Sequence, residues 1–248
     1  MRLVSLAPSA TATLSAMGAA DDLVGATVHC DLAGVDTEPD RVGGWLNADV
    51  DAVAALDPAL VLTSDALQRE VRDELRERGL AVHHSEPGTL EEAIDGFAEL
   101  GRAVGYADAG AELAADARER LRAVRAAVAD EPRPTVYCEE WADPPMAAGN
   151  WVPEAVAAAG GAYPFAAPGE RSSEVRREEV VAADPEYVIL HPCGKGDRAD
   201  PEAFRNRGWA LDAEIHVVDD SLLNQPSPNL IAGVERLAAV LHGVDPAA

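Results

Sequence analysis

Two short stretches carry residue types that ligate metals: His29-Cys30-Asp31 and His191-Pro192-Cys193. Zinc asks for four such donors in fixed geometry. Neighbours such as His29 and Cys30 point to opposite sides of an extended chain, so each stretch offers little alone. A metalloenzyme would have to bring His29, Cys30, His191 and Cys193 together. The other reading makes them loop residues beside a ligand. The cysteines Cys30, Cys138 and Cys193 are odd in number and widely spaced, which is no disulfide framework. Nucleophilic chemistry has less support. Pro8-Ser9-Ala10-Thr11 sets a hydroxyl and free amides at a helix start, which suits an anion or carboxamide, or simple N-capping by Ser9. No GxSxG elbow surrounds Ser9. Cys193-Gly194-Lys195-Gly196 lacks the glycine spacing and hydroxyl of a phosphate loop. Lys195 is the chain's one lysine, placed to meet a ligand carboxylate or phosphate, or solvent.

Binding is better represented than catalysis. Aromatic residues make up only 4% of the chain, so each tryptophan position is informative. Trp45, Trp141 and Trp151 all fall in segments that follow expected strands, as do Ser64-Asp65 and Leu223 to Ser227. Indole walls suit a large flat or greasy ligand, and Asn150, Asn224, Gln225 and Ser227 offer polar groups to orient it. The alternative is that the tryptophans are core-edge residues.

The elements that would position these groups alternate. Strands are expected at Arg2–Ala7, Leu23–Val28, Ala59–Thr63, Leu80–His84, Pro134–Glu140, Glu186–Leu190 and Ile215–Val218. Helices are expected at Pro8–Gly18, Asp49–Leu56, Leu67–Arg78, Leu90–Val104, Asn150–Gly160, Arg176–Ala183, Pro201–Arg207 and Asn229–His242. Strand–helix alternation means an α/β fold of mainly parallel sheets, with ligands outside the carboxyl ends of the strands. Near the middle, Leu113, Ala117, Leu121, Val124 and Val128 recur at helical spacing within Tyr106–Glu131. Asp108 is a plausible N-cap, and Pro132 and Pro134 end the pattern. A helix of this length spans roughly 30 Å. It predicts two Rossmann-like lobes, residues 1–105 and 132–248, joined by a single long helix over 106–131, with ligand held in the cleft between them. The halves also match: Ala54-Ala55-Leu56-Asp57-Pro58-Ala59-Leu60-Val61-Leu62 parallels Val181-Ala182-Ala183-Asp184-Pro185-Glu186-Tyr187-Val188-Ile189, which reads as a duplication.

Composition narrows the partners. The net charge is −24, from 44 acidic and 20 basic residues. No basic stripe exists to displace counterions from nucleic acid. An acidic, lysine-poor chain reads as adapted to molar salt, where self-repulsion is screened to about 3 Å. No apolar run is long enough to span a membrane. Nothing ahead of the first strand resembles an export signal. The sequence as written is thus expected in the cytoplasm, and an upstream segment would change that to extracytoplasmic and membrane-associated.

Leu3 to Thr11, Leu23-Val24-Gly25 and His29-Cys30-Asp31 together resemble the opening of the substrate-binding proteins of cobalamin and iron-siderophore ABC importers. Asp49 to Leu62, Ala159-Gly160-Gly161, Glu178 to Ile189 and Gln225-Pro226-Ser227-Pro228-Asn229 continue the likeness, in order. Trp45 matches the ligand-facing tryptophan of the cobalamin-type branch. Asp31-Leu32-Ala33-Gly34 departs from that branch, where Asp-Tyr-Pro-Pro is usual. The resemblance implies two lobes on a helical strut and a non-catalytic monomer without a cofactor, holding a corrinoid for uptake through an importer permease. A ferric siderophore or haem is the alternative ligand. The candidate ligand residues, taken from the loops at the strand ends and the tryptophans, are Pro8, Ser9, His29, Asp31, Trp45, Ser64, Asp65, Trp141, Asn150, Trp151, Cys193, Lys195 and Gln225. Glu70 and Glu178 are the implied docking acids for the permease.

Overall fold

Leu3, Val4 and Ser5 have no exposed surface, and this three-residue strand, β1, is the middle of a five-stranded sheet. The computed structural model describes residues 1–244. After β1 come α1 (Pro8–Ala16), β2 (Leu23–Ala26), β3 (Asp40–Arg41), α2 (Val50–Ala55), β4 (Leu60–Ser64), α3 (Arg69–Glu77), β5 (Val82–Ser85), α4 (Leu90–Val104) and α5 (Ala107–Ala127). The sheet runs β3-β2-β1-β4-β5 with every neighbour parallel. Parallel strands must be joined by crossovers, so helices cover both faces. One cluster packs Leu3, Leu14, Leu23 and Leu62 against Leu100 and Val104 of α4. The other packs Val4, Leu6, Val53, Val61 and Leu75. Alternation along β1 sends Leu3 to one layer and Val4 to the other.

The chain continues through β6 (Val136–Ala142), β7 (Pro145–Ala147), α6 (Val152–Ala158), β8 (Ser173–Glu174), α7 (Arg177–Ala183), β9 (Tyr187–Leu190), α8 (Pro201–Arg205), β10 (Glu214–Val217) and α9 (Asn229–His242). The second sheet runs β10-β9-β6-β7-β8. Its β10, β9 and β6 are parallel, while β7 and β8 are antiparallel. The segment after Glu140, expected to be a loop, is therefore a hairpin, with only Asp143 and Pro144 between its strands. The fold is two mainly parallel α/β sheets. Two compact units divide the chain: Met1–Pro87 with Ile94–Asp116, and Gly88–Ala93 with Ala117 onward.

The middle helix is a single continuous element of 21 residues, with Ala117, Leu121 and Val124 buried. Its boundaries differ from expectation. Asp108 lies inside the first turn rather than capping it, and the helix stops at Ala127, ahead of the prolines. The helix expected from Leu67 likewise opens as a 3-10 turn, Ala66–Gln68, before α3 begins at Arg69.

The internal match holds at the level of single hydrogen bonds. Asp57 and Asp184 both turn the chain through left-handed backbone, at φ 47° and 46°. The next amides then converge on one carbonyl. Ala59 N and Leu60 N donate to Arg2 O at 2.8 and 3.4 Å, and Glu186 N and Tyr187 N donate to Thr135 O at 2.9 and 3.2 Å. The strand orders also correspond when the second sheet is read from its other end.

In the first unit, α4 and α5 approach through two glycines. A Cβ on Gly110 would lie 2.7 Å from Phe97 O and 2.9 Å from Gly101 Cα. Both obstacles are backbone, so Gly110→Ala must push the helices apart, and it should cost about 2 kcal/mol. At Gly96, in the same helix pair, the nearest atom is Ser85 Oγ at 3.8 Å. Gly96→Ala should instead gain about 0.5–1 kcal/mol of helix propensity. Urea denaturation of the two variants should therefore give midpoints on opposite sides of the parent.

Candidate functional site

At the carboxyl edge of the first sheet, three chain segments end side by side. Leu6-Ala7-Pro8-Ser9 follows β1, the Gly43–Ala48 loop follows β3, and Ser64-Asp65 ends β4. Pro8 is the first residue of α1, which makes Ser9 a first-turn residue and not an N-cap; Ala7 holds that position without a side-chain bond. Ser9 Oγ lies 3.5 Å from Ser64 Oγ, and both residues are buried. Asp65 has φ 69° and ψ 151°, a conformation few non-glycine residues adopt. Its Oδ1 accepts from Leu67 N at 2.8 Å, and its own N–H donates to Ser85 O at 3.0 Å. Trp45 is half-buried, and Leu46 after it is exposed, as is Leu67 before Gln68.

One residue unites these segments, and the sequence reading missed it. Gln68 is fully buried. Its Oε1 accepts from Ser64 N at 2.7 Å, while Nε2 donates to Leu6 O at 2.9 Å and Trp45 O at 2.6 Å. A glutamine inside an expected amphipathic helix gives no signal of this. It becomes visible only when the helix start unwinds into the 3-10 turn that aims the amide at the sheet edge.

His29 and Cys30 diverge, as their adjacency requires. Cys30 is buried, with Sγ 3.2 Å from Thr27 Oγ1 and 3.7 Å from Ser5 O. His29 and Asp31 are exposed, and Asp31 Oδ1 accepts from Ala33 N.

The second sheet's carboxyl edge is held by Asn224 and Asp220. Asn224 Oδ1 meets His191 Nδ1, and its Nδ2 donates to His191 O at 2.9 Å and Cys193 Sγ at 3.0 Å. Asp220 accepts from Gly194 N and Gly196 N, both at 2.7 Å. The glycine-rich turn around Lys195 thus already cradles a carboxylate of its own chain. Lys195 is exposed, and Gln225 is half-buried. Desolvation, then Glu140, pushes the Cys193 thiol up to about 11, so it is protonated near neutrality. Among the described residues, no group of three or more His, Cys, Asp or Glu side chains is arranged to hold a metal.

The tryptophans separate. Trp141 is 47% exposed on the β6–β7 hairpin, its indole N–H bonded to Asp143 O. Trp151 is a core residue, with its indole N–H on Leu223 O at 2.7 Å. That buried bond fits it to an internal brace, not a ligand wall. Asn150 is half-buried, with left-handed backbone and its N–H on Glu170 O. Below the hairpin, buried Glu139 pairs with Arg207 at 2.6 and 2.8 Å and accepts from Tyr137 OH at 3.1 Å. Glu70 and Glu178 are exposed in the first turns of α3 and α7.

His191 is fully buried, and burial pushes its pKa down to about 4. Asn224 Oδ1 can only accept, so Nδ1 carries the proton and the buried Nε2 is a bare acceptor without a protein partner. The folded pKa lies below the unfolded one, so the unfolded chain takes up this proton first as pH falls. The stability it contributes is complete above about pH 6.5 and is lost toward pH 4, a swing of about 3 kcal/mol. The ligand-free protein should therefore lose stability across that window, and His191→Gln should flatten the loss in melts run from pH 7 to pH 4.

Comparison with known proteins places this architecture. The sequence matches the periplasmic binding protein family over residues 3–213. The vitamin B12-binding protein of Vibrio cholerae is 28% identical over 253 residues, covering 97% of this chain and 88% of that one. The cobalamin-binding protein of Halobacterium salinarum is also 28% identical, over 97% of this chain and 69% of its own. The crystal structure of the Vibrio cholerae periplasmic vitamin B12 binding protein superposes with a TM-score of 0.78 at 25% identity, covering 96% and 95% of the two chains. A periplasmic heme binding protein from Pseudomonas aeruginosa shares the fold at a TM-score of 0.82 and 22% identity, over 98% and 93%. With the match spanning most of its length, the chain belongs to the periplasmic binding protein family.

Proposed function

We propose that this protein binds a corrinoid of the cobalamin type, without altering it, as the substrate-binding component of an ABC importer. The observation that carries this reading is the agreement with relatives named for vitamin B12 or cobalamin along 97% of the chain. The sheet edges supply suitable chemistry. A corrinoid has a broad flat macrocycle fringed with carboxamides. Half-buried Trp45 on one edge and exposed Trp141 on the other offer apolar faces. Buried Ser9 and Ser64 and the half-buried Gln225 offer partners for amides. His29, Asp31 and Lys195 stand at the exposed margins, where they would tune charge rather than ligate cobalt.

The protein would act as a monomer on the extracytoplasmic face, with exposed Glu70 and Glu178 docking the permease. Its acidic surface fits work in molar salt, as the net charge of −24 requires screening to be comfortable.

The test is a cyanocobalamin titration in molar KCl, following tryptophan fluorescence, with haemin and a ferric siderophore as comparators. Saturable quenching at one equivalent is expected with cyanocobalamin, and weaker responses with the others. Trp45→Ala should weaken binding at least about tenfold. No saturable response to cyanocobalamin, or a clear preference for haemin, would overturn the reading. Glu70→Arg and Glu178→Arg should retain ligand affinity while abolishing uptake in cells carrying the cognate permease.

A further inference from the structure

We infer that Gln68, which does not reach the surface, is the positioning residue of the first ligand-facing edge. The inference rests on the corrinoid reading for its functional consequence, although the geometry behind it does not. Gln68 makes one acceptor and two donor contacts, to three segments distant in sequence. Their direction is not ambiguous. Ser64 N–H can only donate, and the Leu6 and Trp45 carbonyls can only accept, so the amide has one consistent orientation. Each partner adjoins residues of the proposed contact surface: Leu6 precedes Pro8-Ser9, Ser64 precedes Asp65, and the Trp45 carbonyl belongs to the indole residue itself.

The rest of the Trp45 loop is anchored at its base. Val28 N donates to Gly43 O at 2.9 Å, Asp49 N donates to Val42 O at 2.9 Å, and Gly43 bridges Ala48. These bonds close the loop without fixing its tip to the neighbouring strands. The 2.6 Å bond from Gln68 does that. Without it, Trp45 would have to be ordered by the ligand, and affinity would fall by the cost of that ordering. No other residue type supplies two donors and an acceptor at this length. Glutamate would set an anionic oxygen against two carbonyls, and methionine would fill the volume but leave three backbone groups, two of them buried, without their glutamine partner.

The experiment uses Gln68→Met, with Val180→Ala as a control that loosens the core of the other unit. Three quantities are read in molar KCl: thermal stability, hydrogen exchange in the ligand-free state, and cyanocobalamin affinity by tryptophan quenching. Gln68→Met is expected to speed exchange in residues 43–47 and 64–65, to leave β6 and β9 as in the parent, and to weaken binding about 10- to 100-fold. Val180→Ala should lower the melting temperature with less than a threefold effect on affinity. Equal affinity losses in the two variants would reduce Gln68 to general stability and overturn the proposal. So would faster exchange with unchanged affinity, or unchanged exchange at 43–47. If the parent fails to bind cyanocobalamin while the exchange pattern is as expected, the corrinoid reading fails and the positioning of the Trp45 loop stands.

A measurement on the parent protein covers the case in which Gln68→Met does not fold. The chain has two glutamines, Gln68 and Gln225. Selective nitrogen-15 labelling therefore gives two side-chain amide signals. The Gln68 pair should exchange with water far more slowly than the Gln225 pair before any ligand is added. Equal exchange of the two would show that the amide is not held, and would overturn the proposal by itself.

Discussion

A parallel sheet leaves its backbone groups without ladder partners where the strands end, and everything at the carboxyl edges depends on how they are satisfied. Each buried amide or carbonyl left unpaired costs free energy comparable to a lost hydrogen bond. In the first unit a single carboxamide, Gln68, meets three such groups. In the second the work is divided. Asn224 takes the His191 carbonyl, and Asp220 takes the amides of Gly194 and Gly196. The two solutions share a physical logic. A short side chain with fixed donor and acceptor geometry reaches back from the following segment and fastens the loops that leave the sheet. The exposed surface of each edge is then what those fastened loops present.

The same requirement commits the inner polar residues to partners within the fold. Cys30 is spent on Thr27 and Ser5, and Trp151 on Leu223. His191 is desolvated, oriented by Asn224 and held neutral. Glu139 and Arg207 are likewise committed to each other, with Arg207 against the faces of Phe204 and Trp209.

Much of this was legible in the sequence. Helices α4 and α9 were expected over Leu90–Val104 and Asn229–His242 and form over those residues, because their apolar stripes are long and their ends punctuated. The Asp-Pro breaks announced the corner after α2 and α7, and the left-handed aspartates show why a short polar residue stands there. The hairpin at Trp141 was not legible. Its return strand, β7, has three residues and begins with proline, so it carries no periodic signal. For Trp151 the sequence left a ligand wall and a core-edge residue as alternatives, because an exposed and a buried indole are the same letter, and the structure buries it. Gln68 was missed because three hydrogen bonds to distant backbone leave no trace in local spacing.

The antiparallel turn between β6 and β7 has a consequence for how this unit could change over time. The first sheet needs a helix and a 3-10 turn between β1 and its neighbour β2, whereas the second reaches its neighbour after two residues. Such a local pairing needs no crossover element, so its geometry depends little on the rest of the chain. The tip that carries Trp141 is thereby insulated from the crossover architecture. Lineages could lengthen, shorten or recolour it without disturbing a single helix, which makes that small ribbon the natural place for one scaffold to diversify its tastes.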